Sequence, residues 1–134
     1  MNLSKDRIEL TLPFKAEYVS VARLTVSGIA SRMGFDIDTI EDIKVSVAEV
    51  CNRIISAGAE TGGTFSTVFE ISPENLVITF FSSQDGLKCI FREEEDELGI
   101  SIINAFMDQV DFCPDDSYIL SMTKSTEGVS WDGK

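Results

Sequence analysis

The residues of this 134-residue chain best placed to do chemistry fall within one stretch, Asp38 to Ala57, DTIEDIKVSVAEVCNRIISA. Glu49 and Arg53 are four residues apart, which on a helix puts them one turn apart on the same face, and Asn52 falls near the same edge. A carboxylate so placed can take the proton of an attacking hydroxyl as a general base. A guanidinium four residues C-terminal to it stands in the favourable direction for an ion pair, which would keep the carboxylate charged; alternatively it could meet a phosphate. Other chemistry is narrowed by composition. The chain contains no histidine, which removes Ser-His-Asp catalysis, a histidine base and most zinc sites. Its three cysteines, Cys51, Cys89 and Cys113, are odd in number and lack CxxC spacing, so they are expected to be reduced thiols packing as small hydrophobes. Asp36 and Asp38 could open a calcium loop, but Ile40 at the fifth position and the missing later glycine and glutamate exclude one, and no metal-ligand set is expected.

The element that must hold Glu49 and Arg53 is legible from its apolar residues. Ile40, Ile43, Val47, Val50, Cys51 and Ile54 recur at three- and four-residue steps, which predicts a helix with one stripe in a core. Asp38 is expected to cap it, with Glu41 reaching back to complete a capping box, and Gly58 to end it in the left-handed conformation. Upstream, Arg7 to Leu12 alternates as R-I-E-L-T-L, a half-buried strand ended by Pro13. Ala16 to Met33 turns helical, with Tyr18 or Val19, Ala22, Val26, Ile29 and Met33 on its stripe and Gly34 closing it. Downstream, Phe65 to Ile71 and Leu76 to Phe81 should pair as a hairpin through SPEN, and Leu87 to Phe91 is a short third strand after SSQDG. The acidic run Glu93 to Glu97 reads as a solvated loop. It leads into a helix from Leu98 to Met107, with Leu98, Ile102, Ala105 and Phe106 expected on the core face. The short apolar piece Val110 to Phe112 and a strand from Tyr118 to Thr123 complete the order. These elements predict an α+β two-layer sandwich, a mixed or antiparallel sheet with three helices on one face. A single domain over 1–126 and a flexible tail over 127–134 are expected.

A net charge of −12 repels phosphate backbones and anionic membranes. It argues against nucleic acid or membrane as a direct ligand and for a basic protein surface as partner. The start MNLSKDRIELTL has no apolar signal core and no apolar run is long enough to span a bilayer, so a cytoplasmic protein is expected.

The run PFKAEYVSVARLTVSGIASRMGFDIDTIEDIKVSVAEVCN resembles the N-terminal half of the anti-sigma-factor serine kinases that operate bacterial partner switches. LGISIINAFMDQV and ILSMTK are similar to the last helix and last strand of the same proteins. The resemblance implies the ATPase fold shared with histidine kinases, gyrase and Hsp90. It also implies homodimers that hold a sigma factor inactive and use Mg-ATP to phosphorylate a serine of a small antagonist protein.

Carried over by position, Glu49 matches the family glutamate, whereas Arg53 stands where the family has an asparagine that helps hold magnesium. Asn52 matches only the preceding position, roughly 100° away around the helix. Ala57 stands where the family often has a histidine. The Asp-x-Gly box that reads adenine would fall on FFSSQDG, with Ser82 at the aspartate position without a gap, or Asp85 and Gly86 as a remnant. The long lid and its Gly-x-Gly element shrink to KCIFREEEDE and Leu98-Gly99-Ile100, with Glu97 in place of the first glycine. Two outcomes follow from the resemblance. Either the Glu49–Arg53 pair seals a relic pocket in a protein that works by binding, with ATP-dependent activity lost or weakened; or a working serine/threonine kinase uses Glu49 as base and holds ATP through Arg53, Asp85 and Gly99.

Overall fold

The computed structural model describes residues 6–83, 90–92, 97–112 and 118–126. Five strands, β1 (Asp6–Pro13), β2 (Thr64–Ile71), β3 (Asn75–Phe81), β4 (Gln109–Phe112) and β5 (Leu120–Ser125), form one sheet in the order β1-β2-β3-β5-β4. Every neighbouring pair is antiparallel, so of the two sheet types expected the described strands realise the antiparallel one. Three helices, α1 (Val19–Arg32), α2 (Ile37–Gly58) and α3 (Glu97–Phe106), cover one face, giving the expected α+β sandwich. Alternation along the strands sends Leu12, Phe65, Phe69, Ile78, Phe80, Leu120 and Met122 to that face, where they meet Val26, Ile43, Val47, Val50 and Ile54 from the helices. The opposite face carries hydroxyl ladders, with Thr11 and Ser66 2.9 Å apart and Thr79 and Ser121 3.1 Å apart across the strands.

Several local expectations are corrected. The cap of α2 is Asp36, not Asp38: its carboxylate accepts the Thr39 amide at 2.8 Å, and the helix is already under way at Ile37. The cause lies in the end of α1, where Gly34 takes φ 92° and Phe35, buried, sends its amide back to the Ala30 carbonyl at 3.3 Å. That tight reversal brings Asp36 to the cap position two residues earlier than the acidic pattern suggested. On α3 the buried residue is Ile103, followed by Met107 just past the helix end. Leu98 is 75% exposed and Ala105 is exposed, so the apolar face is rotated from the one expected. The short strand expected at Leu87 to Phe91 lies mostly outside the described residues, and Ile90 and Phe91 belong to a 3-10 turn, Ile90–Arg92. Their side chains are buried, and Phe91 packs on Phe112 with ring centroids 6.1 Å apart. An apolar pair in a charged stretch signalled burial, and a turn buries two residues as well as a strand does. The expected tail, 127–134, lies outside the described residues.

Gly58 does not take the left-handed conformation; among the described glycines only Gly34 and Gly62 have positive φ. It is the last residue of α2 for another reason. A Cβ there would sit 2.8 Å from the Phe14 ring, which is itself buried and stacked on Phe65 at 5.7 Å. Helix propensity alone would make Gly58→Ala a gain of about 1 kcal/mol. The ring contact reverses the sign, and a net loss of about 1–3 kcal/mol is expected from urea denaturation; a variant more stable than the parent would show that Phe14 gives way.

Lys124 of β5 ties to the end of α3: its ammonium donates to the Phe106 carbonyl at 2.8 Å and lies 3.6 Å from Asp108. Hydrogen bonds from Thr39 hold the Asp36 carboxyl below its ordinary value, with a smaller contribution from Lys124. A lowered folded-state value means stability that is present above the ordinary carboxylate range and lost as pH falls through the folded one. Thermal unfolding of Asp36→Ala should therefore show a lower midpoint than the parent at neutral pH and converge with it in acid.

Candidate functional site

Helix α2 carries the site because its two sides have separate tasks. Ile43, Ser46, Val47, Val50, Cys51, Ile54 and Ile55 are buried, while Glu49 and Arg53 are half-buried along the margin of that stripe and Asn52 is exposed. Ser46 is accommodated by donating to the Asp42 carbonyl one turn back, at 3.0 Å. Burial without a charged neighbour pushes the Cys51 thiol up to about 12, consistent with the small-hydrophobe role expected of it.

The structure brings Glu49 and Gly99 together, with Arg53 one turn further along α2. The first turn of α3 passes so close to α2 that a Cβ at Gly99 would lie 3.3 Å from Glu49 Oε1. A Cβ at this position would require the carboxylate to give by a few tenths of an ångström. Arg53 reaches the 3-10 turn, where Nη2 donates to the Ile90 carbonyl at 3.4 Å. The expected Glu49–Arg53 ion pair is not formed: no nitrogen of Arg53 comes within salt-bridge distance of the Glu49 carboxylate. The buried side chains of Ile90 and Phe91 seat the turn beside α2, and its carbonyl gives the guanidinium a different acceptor. Sequence reasoning missed this partner because a backbone carbonyl leaves no mark in the residue types.

Ser82, at the end of β3, is half-buried and donates to the Thr64 carbonyl at 3.4 Å, across the open end of the hairpin. Asn52 is exposed, about 100° around the helix from Arg53. Asp85 and Gly86 lie outside the described residues, and nothing is added about the alternative box they offered.

The described donor set does not suit magnesium. A guanidinium has five N–H donors and no lone pair to give a cation. Among the described residues no group of three potential ligands converges. An arginine at this place suits an anion or a carbonyl instead.

The histidine kinase-like ATPase domain family matches residues 12–124. The serine-protein kinase RsbW of Halalkalibacterium halodurans is 39% identical over 134 aligned positions, covering 89% of this chain and 83% of that protein. The RsbW of Bacillus cereus strain G9842 is 36% identical over 146 positions, covering 96% of this chain and 91% of its own length. The second alignment is longer than the chain itself, so that relative has positions for which this chain has no residue. With the fold, the order of elements and this similarity over most of its length, the chain belongs to the histidine kinase-like ATPase family, and within it to the anti-sigma-factor serine-protein kinases.

Proposed function

We propose that the protein is a partner-switching regulator of transcription that acts in the cytoplasm as a homodimer of one domain, 1–126, by binding a sigma factor and an antagonist protein, with ATP-dependent phosphotransfer lost or strongly weakened. The observation that carries this reading is Arg53, which stands in the family's magnesium position and gives its guanidinium to the Ile90 carbonyl. A kinase needs a cation and backbone donors around the transferred phosphoryl group. Here the cation position is taken by a side chain that cannot ligate metal, and the polypeptide between β3 and α3 is short. Partner surfaces rest on the fold and survive such changes. The net charge of −12 favours basic partner surfaces through long-range attraction.

One observation favours the second reading, an active serine/threonine protein kinase. Glu49 keeps its place against Gly99, where a carboxylate could still accept a hydroxyl proton. In that case Arg53 would leave Ile90 to meet a phosphate, and nucleotide would bind without magnesium.

Calorimetric titration with ATP and ADP, each with and without magnesium, separates the two. No heat and no thermal stabilisation at millimolar nucleotide are expected. Binding at a hundredfold excess over Kd would add about 2.7 kcal/mol of stability and would refute the loss of nucleotide handling. Arg53→Asn alone is expected not to bring micromolar Mg-ATP binding, because Glu97 and the short connection remain in place; tight binding by that variant would show that Arg53 is the whole obstacle.

A further inference from the structure

We propose that residues 127–134 fold back over the helix-free face of the sheet and lay Trp131 across Val68, Thr79 and Ser121. This contact depends on neither nucleotide nor another protein.

Val68 is the residue to be accounted for. Alternation along β2 sends Phe65 and Phe69 to the helices and Val68 to the other side. It is 4% exposed, yet among the described buried apolar residues it alone lies outside the core cluster between sheet and helices. Thr79 and Ser121 stand beside it in the ladder, through the pairs Val68↔Thr79 and Thr79↔Ser121, and each is 9% exposed. The row is therefore closed to water across three adjacent strands, on the side that carries none of the three helices. The two 3-10 turns, Ala16–Tyr18 and Ile90–Arg92, pack on α1 and α2 and do not supply a cover. Phe81, two residues beyond Thr79, is turned to the Tyr118 ring, 6.1 Å away, and bounds the row at one end. Because the Thr79 and Ser121 hydroxyls bond to each other at 3.1 Å, no polar group is stranded under an apolar roof.

Residues 127–134 are placed to supply that roof. Thr126, the last described residue, is tied to the β2–β3 turn: its amide donates to the Glu74 carbonyl at 2.9 Å and its hydroxyl to the Pro73 carbonyl at 2.7 Å. The chain thus leaves the sheet beside the three strands that bear the row. Gly128 suits a reversal there. From Gly128 the three residues to Trp131 span about 10 Å when extended. That returns the chain to the level of Val77 and Thr123, which face each other half-buried, and the indole carries the cover on to the next row. Val129 and Trp131 alternate with Ser130 and Asp132, so one side of an extended segment is apolar and the other polar. Valine, threonine and serine side by side form a flat bed for an indole, whose large apolar surface gains from leaving water. Residues 1–5 start from Asp6 on the edge strand, on the far side of β2 and β3 from Ser121, and contain no aromatic residue. A face roofed in this way is closed to the proteins proposed as partners.

Trp131 is the only tryptophan of the chain, so its fluorescence reports on this contact alone. In the full chain its emission should lie to the blue of that of the urea-unfolded protein, with quenching by acrylamide several-fold weaker. Val77→Arg and, on the neighbouring strand, Thr123→Arg put a long charged side chain on the path of the segment and leave the helix-facing core untouched. Each should move the emission to the red and raise the quenching toward the unfolded level, with far-ultraviolet circular dichroism unchanged; two variants on separate strands keep the test decisive should one fail to fold. A Trp131 as accessible in the parent as in urea would overturn the proposal and assign the cover to another segment. Arginine variants that keep the parent's emission would overturn it by placing the indole elsewhere. A blue emission lost on dilution would show the indole held by a second copy and not by its own sheet.

Discussion

The packing of α2 against the sheet is the constraint from which the rest of the structure follows. Ile43, Val47, Val50 and Ile54 are fully buried, so the rotation of the helix about its axis is fixed by the core. Once that rotation is set, the places of Glu49, Asn52 and Arg53 are set too, since they are turns of the same cylinder. A site built on such an element tolerates changes of residue far better than changes of position. Arg53 illustrates this: its side chain projects toward the connection that follows β3.

Much of the fold was legible because it rests on periodicity. The stripe of α2, the alternation of β1 and the hairpin of β2 and β3 each repeat one simple rule over several residues. What periodicity could not give were features decided by a neighbour remote in sequence. Gly58 is a glycine because of Phe14, 44 residues earlier in the chain, and not because the helix must end there. The cap of α2 moved to Asp36 because the reversal after α1 is tight, a property of Gly34 and Phe35 and not of the acidic residues themselves. In α3 the count of apolar residues was ample for two faces, and packing against α2 chose which one to bury.

The site was half legible. Glu49 lies against Gly99, and Arg53, one turn on, reaches the turn at Ile90. The link between Arg53 and Ile90 was not legible, because the acceptor is main chain in a turn whose residues looked like a strand. The ion pair with Glu49 was the expectation that local spacing supports for any isolated helix. In the folded protein a competing acceptor 37 residues away in sequence took the guanidinium instead.

Cys51 is fully buried in the same helix, and its thiol is held at about 12. At neutral pH the thiolate is then on the order of one molecule in 10⁵, and the thiolate is the form that attacks peroxides and disulfides. An oxidant would thus find no reactive sulfur on α2. On the helix that fixes the geometry of Glu49 and Arg53, the sulfur is a filler of the core, shielded both by its protonation and by the side chains packed around it.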